Sequence, residues 1–133
     1  MSRLLTWVLF LVVAGGCATS RRSAPPQGSE RGMASYYHDS LAGRPTASGE
    51  PYNPEAATCA HKTHPLGTRL RVTRVDSGAS VVCRVNDRGP FVRGRVVDLS
   101  RRMARELGIL HKGVVPVRVG VVSPPPPRRR REA

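Results

Sequence analysis

Between residues 68 and 122 the apolar side chains fall at every second position in three separate runs. Leu70 and Val72 face one way in the first, with Arg69, Arg71 and Thr73 on the other side. Val81, Cys83 and Val85 repeat the pattern, and Val115, Val117, Val119 and Val121 hold it longest. A period of two residues marks a strand with one buried face. Val96, Val97 and Leu99 add a further strand, and residues 32–37 another. The crossings between them are rich in glycine and proline. Residues 43–51 carry two of each, and residues 76–79 make a hairpin connection in which Gly78 suits a positive φ. One helix fits residues 101–107, with Ser100 as its N-cap, Met103 and Leu107 facing inward and Gly108 as its stop. A second helical turn fits residues 54–57, with Asn53 as cap and Pro54 in the first position. Five or six short strands with one or two short helices predict a mainly β chain that closes into a small barrel.

A chain of 133 residues is expected to hold one such domain, and with aromatics at only 5% its core must be built of valine, leucine and alanine. The formal charge of +13 favours an anionic partner. The N-terminus narrows the choice. Arg3 precedes an apolar run, Leu4 to Val13, of about ten residues, half of the ~20 needed to span a bilayer. Ala14, Gly15, Gly16 and Cys17 follow. This fits a secretory signal over residues 1–16, and the cysteine after small residues resembles a bacterial lipobox, in which it is acylated and becomes the mature N-terminus. Ala14 stands where such boxes usually carry leucine. An exported chain with no helix-turn-helix, zinc-finger or RNA-platform signature is not expected to bind nucleic acid.

With Cys17 acylated, Cys59 and Cys83 remain. Two readings stand: a disulfide formed in an oxidising compartment, or two separate small buried side chains. No CxxC or Cys/His metal spacing is present, so no metal is expected, and nothing implies a cofactor. Residues 18–31 have no apolar periodicity and read as a flexible tether reaching at most about 45 Å. The folded domain is expected over 32–122. The tail from 123 to 133, with Pro124–Pro127 followed by four arginines, reads either as a solvated end or as a contact for an anionic surface.

The chemistry is expected in the segment 85–100. There Asp87 ends one strand and Asp98 lies near the end of the next, joined by a loop with Gly89, Pro90 and Gly94. Asp98, among Val96, Val97 and Leu99, invites desolvation, which raises a carboxyl pKa. Its alternative role is an acceptor for amides at the start of the Ser100 helix. Asp87 is followed by Arg88, which favours its ionised form if the two are close. Its alternative is a turn residue.

Five stretches together resemble the rare lipoprotein A family: Gly32-Met33-Ala34-Ser35-Tyr36-Tyr37, Thr46-Ala47-Ser48-Gly49-Glu50, Ala60-His61-Lys62-Thr63-His64-Pro65-Leu66-Gly67-Thr68, Val85-Asn86-Asp87-Arg88-Gly89-Pro90-Phe91 and Val97-Asp98-Leu99-Ser100. The resemblance covers roughly residues 31–122. It implies a six-stranded double-psi β-barrel, the fold of expansins, and a lipoprotein acting on peptidoglycan as an endolytic lytic transglycosylase in cell wall organisation and division. Such an enzyme cleaves between N-acetylmuramic acid and N-acetylglucosamine and leaves a 1,6-anhydro ring. Asp87 and Asp98 are then the expected acids, Glu50 resembles a family active-site position, and His61 is expected to bond the sugar or orient a carboxylate. Tyr37, Thr46, Ser48 and Asn86 are expected sugar contacts. Arg88 and Arg93 are expected to meet lactyl or stem-peptide carboxylates. Many members add a C-terminal module for peptide-stripped glycan. Here the chain stops at Ala133, so the barrel and its charge are expected to supply affinity. The expected partners are glycan strands and, through the lipid on Cys17, a membrane. Ala18 after Cys17 points to the outer membrane, facing the periplasm, and the chain is expected to be a monomer. The competing reading is a non-catalytic, expansin-like protein that binds the wall.

Overall fold

The structure is a computed structural model, and it describes residues 28–129. The expected signal at 1–16, the lipidation site Cys17, the tether up to residue 27 and the last four residues lie outside the described residues. Six strands close into one barrel: β1 (Glu30–Tyr36), β2 (Thr58–Ala60), β3 (Arg69–Arg74), β4 (Ser80–Asp87), β5 (Arg95–Leu99) and β6 (Val115–Ser123). Around the barrel they run β1-β5-β2-β4-β3-β6. Two of the pairings, β1 with β5 and β2 with β4, are parallel; the others are antiparallel. This is the mainly β, six-stranded barrel that the sequence predicts.

Alternation builds the interior. Leu70, Val72, Val81, Cys83, Val85, Val97, Leu99, Val115, Val117 and Val119 all reach the core, joined by Ala34 and Cys59. The helix α1 (Arg101–Leu107) covers one end with Met103, Ala104 and Leu107. Ser100 accepts from the Met103 amide, and Gly108 stops the helix at a φ of 75°, a left-handed value natural for glycine. Cys59 and Cys83 are disulfide-bonded across β2 and β4, with Cα atoms 5.8 Å apart.

Several elements differ from the sequence reading. β1 begins at Glu30, so the last two residues of the expected tether are already paired, with Val119 and Arg118. The stretch 54–57 is a turn, not a helix: Asn53 Oδ1 accepts from the Glu55 amide, but the chain turns straight into β2. A short 3-10 turn forms at Asp39–Leu41 instead, capped by His38. Val121 keeps its alternation opposite Leu70 but is 53% exposed; the pairing of β1 with β6 ends at Val119, so this end of β6 has β3 alone as its strand neighbour. β6 also extends to Ser123, one residue beyond the expected boundary, and the following Pro125 lies against Gly67, where its Cβ is 3.1 Å from the position a side chain would take.

Candidate active site

The register of the short strand β2 decides which face carries the chemistry. Cys59 pairs with Leu99 on one side and Val85 on the other, and all three are core residues. One residue on, Ala60 pairs with Asp98 and with Asp87, and Ser35 of β1 pairs with Asp98. Alternation turns Ser35, Asp98 and Ala60 off the core side, and the register shift between Cys59 and Ala60 brings Asp87, two residues past core Val85, into the same row across four neighbouring strands. The two acids are two strand spacings apart, about 10 Å along the row. Ala60, with only a methyl group, is the floor between them.

Among the described residues, Asp87 is held by neutral donors alone. Its Oδ1 accepts from the backbone amides of Ala47 and Arg88, each at 2.9 Å, and its Oδ2 accepts from the Tyr37 hydroxyl at 2.6 Å. Tyr37 stacks at 4.6 Å on Tyr52. Burial pushes its phenol well above the usual range, and the hydrogen bond to Asp87 and the charges of Asp87 and Asp98 add to that, so it stays a neutral donor. The Ala47 amide is supplied by a tight loop. Thr46 N donates to Glu50 O, Gly49 N to Thr46 O, and Ser48 N to the carbonyl of Asn86. Thr46 and Ser48 spend their hydroxyls within this loop, on each other and on Glu50.

Asp98 has different company. Its Oδ1 accepts from Arg95 Nη2 at 2.7 Å and from the Ser35 hydroxyl, and Arg95 also reaches Ser35. The helix does not use Asp98, because Ser100 caps it with its own hydroxyl. The contrast expected between the two acids is thus inverted. The acid set among valines has a guanidinium partner. The acid followed by an arginine has none among the described residues, since Arg88 turns away and donates to the carbonyls of His61 and His64 at 3.1 and 2.6 Å.

Glu50 lies beside Asp87 through the loop, but Arg84 grips it with two nitrogens at 2.6 and 3.0 Å and holds its carboxyl below the usual range. Asn86 is buried, and its carbonyl, rather than its amide, ties down the Ser48 loop. Arg93 sits exposed on the loop between β4 and β5, next to Phe91, which is 82% exposed.

His61 does not point at either acid. Its Nδ1 accepts from the amides of Thr63 and His64, both at 3.1 Å, which puts the ring proton on Nε2, where it donates to Glu30 at 2.7 Å. The ring thereby shapes the turn that clamps Arg88, and the His61 amide donates to the backbone carbonyl of Asp87 at 3.2 Å. Glu30, His61 and His64 also bring ligand-type atoms within 4.8 Å of one another. The donor set does not suit a metal: the His61 nitrogen that faces Glu30 is the protonated one, and the lone pair of the other is spent on two amides.

Arg95, Ser35 and Glu30 escaped the sequence reading. Alternation alone puts Ser35 outward, but its meeting with Asp98 needs the parallel β1–β5 pairing. Arg95 is three residues from Asp98, a spacing that on a regular strand puts side chains on opposite faces.

A family model described as lytic transglycolase, of the double-psi barrel type, matches residues 29–119. The probable endolytic peptidoglycan transglycosylase RlpA of a Nostoc species is 58% identical over 97 residues, covering 71% of this chain and 26% of that protein. The endolytic peptidoglycan transglycosylase RlpA of Pasteurella multocida is 46% identical over 113 residues, covering 84% of this chain and 38% of the relative. The chain thus spans well under half the length of either. Among solved structures, an expansin of Clavibacter michiganensis is 25% identical with a TM-score of 0.56, covering 74% of this chain and 52% of the expansin. A Streptomyces papain inhibitor, 23% identical with a TM-score of 0.57, shares the fold over 73% of this chain and 96% of its own.

Proposed function

Since the chain belongs to the lytic transglycolase family of double-psi barrels, we propose that it cleaves peptidoglycan glycan strands endolytically, with Asp87 as the proton carrier. The observation that carries the assignment is the company of the three acids. Glu50 and Asp98 each engage a guanidinium, and Asp87 engages only neutral donors. Its Oδ1 is tied to two amides, so Oδ2, held by one hydroxyl, is the oxygen free to exchange a proton.

The reaction needs one such group. Asp87 protonates the glycosidic oxygen and the C1–O bond of the muramoyl residue breaks, releasing the N-acetylglucosamine hydroxyl. The muramoyl C6 oxygen then closes on C1, and its proton passes to the Asp87 carboxylate. The nucleophile belongs to the same sugar, so its effective concentration is already high and no water need be activated. Asp98, fixed by Arg95 and Ser35, lends negative potential to the cationic anomeric centre. Tyr37 stays with Asp87 throughout. Arg93 and the exposed Phe91 offer a cation and an aromatic face on the loop beside Asp87.

Cell wall organisation and division is the setting this activity suits. The lipobox-like Cys17 supports a lipid-anchored protein on the periplasmic side of the outer membrane; palmitate incorporation that is absent in Cys17→Ser is the check. The competing reading is wall binding without cleavage, favoured by the expansin-like barrel. A variant of that Clavibacter expansin has been solved with cellohexaose bound. Mass analysis of purified sacculi decides between them. Release of 1,6-anhydro-muropeptides that Asp87→Asn abolishes supports the enzyme, and tight binding with no release by the wild type overturns it.

A further inference from the structure

The side of the barrel centred on β3 and β6, the two strands that the acid row does not use, has a character of its own. β4, β3, β6 and β1 are successive neighbours there, and their outward residues stand in register. Arg84 lies opposite Arg69, Thr73 opposite Arg118, and Arg118 opposite Arg31, while Arg71 sits between Val82 and Gly120. The other outward positions in these rows are Ser80, Ser123, Pro116 and Met33, so this face carries five arginines and no carboxylate. Arg84 reaches over the edge to Glu50. Among the described residues, no carboxylate lies within ion-pair distance of Arg31, Arg69, Arg71 or Arg118. Like charges directly across a strand pair destabilise a sheet, and Arg31 with Arg118 is such a pair. At the end of the face, exposed Val122 continues the outward positions of β6 after Arg118 and Gly120, beside Ser123, which pairs with Arg69.

We propose that this face docks onto an anionic phospholipid leaflet and holds the barrel with its Asp87–Asp98 row turned away from the membrane. Guanidinium groups bind phosphate through paired hydrogen bonds, and adjacent strands of the barrel wall present several at once. Val122 suits the apolar boundary beneath the headgroups. A glycan lying across Ser35, Asp98, Ala60 and Asp87 leaves β3 and β6, which carry Arg69, Arg71 and Arg118, outside its row. Only the orientation rests on the placement of the active site; the lipid contact does not.

The test compares the full-length protein with the Arg69→Gln/Arg71→Gln/Arg118→Gln variant on vesicles of phosphatidylcholine, with and without phosphatidylglycerol. An acyl anchor contributes equally to both proteins and does not depend on phosphatidylglycerol. The wild type is expected to prefer the anionic vesicles and to lose that preference in high salt. Each basic residue near an anionic leaflet is worth about a fivefold change in partitioning, so the variant is expected to lose about a hundredfold. Cleavage of isolated glycan and the thermal transition should stay as in the wild type. Equal binding of the wild type to both kinds of vesicle overturns the proposal without recourse to any variant. So does arginine-dependent retention on purified sacculi with none on vesicles, which makes the face a wall-binding surface.

Discussion

The hydroxyl of Tyr37 donates to Oδ2 of Asp87 across 2.6 Å, while both backbone amides that reach this carboxylate go to Oδ1. The two oxygens are therefore not equivalent, and the proposed mechanism gives the proton exchange to the one with a side-chain partner. Replacing Tyr37 by phenylalanine keeps the ring on Tyr52 and removes only that donor. A hydrogen bond to a charged group is worth about 2 kcal/mol, so kcat for anhydro-muropeptide release is expected to fall about thirtyfold with little change in KM. An unchanged kcat would remove Tyr37 from the chemistry.

Asn substitutions should separate the two aspartates. Asp87→Asn keeps the shape and leaves no guanidinium behind, so it is expected to abolish cleavage with a small loss of stability. Asp98→Asn strips Arg95 of its carboxylate in a half-buried position and is expected to cost about 2 kcal/mol in urea unfolding. Equal stability losses in the two variants would contradict the assignment of the ion pair to Asp98 alone.

Glu50 gives a pH prediction with a definite sign. Arg84 lowers its folded pKa, so the pair adds stability above the ordinary glutamate pKa of about 4.3 and loses it as the pH falls through the lowered value. Both side chains are over two-fifths exposed, which limits the pair to at most about 1 kcal/mol. Wild type and Glu50→Gln are expected to differ slightly in melting temperature at neutral pH and to converge in acid. A gap that widened in acid would exclude this linkage.

The Cys59–Cys83 bond closes a loop with a sequence separation of 24, worth about 3 kcal/mol in the chain-entropy description. Cys59→Ala/Cys83→Ala is expected to lower unfolding stability by about that amount, and reduction should affect the wild type but not the variant. Thiol titration of the denatured, unreduced protein checks the pairing directly.

Local signals carried most of the elements. Ser100 and Gly108 bracket α1 because capping and left-handed φ are single-residue properties. The alternation of Leu70, Val72, Val81, Cys83 and Val85 needs only a period of two. β2 was not legible as a strand: three residues show no period, and its identity comes from neighbours on both sides. Asp87, Asp98, Glu50 and the Thr46–Ser48 loop were legible as candidates through linked motifs; in the fold the loop bonds to Asp87, and Asp98 lies two strands away across Ala60. Their partners were not. Arg88 looks like the obvious neighbour of Asp87 in the chain, yet the turn shaped by His61 draws it away, and Arg95 reaches Asp98 in spite of the alternation rule. Such choices are made by pairing between distant strands, which a single chain of letters does not display.

The row Ser35, Asp98, Ala60, Asp87 draws its members from four strands, and the first of them, β1, finds its partners only in β5 and β6. No early stretch of the chain contains a working site. Closure joins segments more than sixty residues apart, a slow kind of assembly. The proposed activity therefore needs the finished ring: a partly folded chain has its acids but not the row that brings them together.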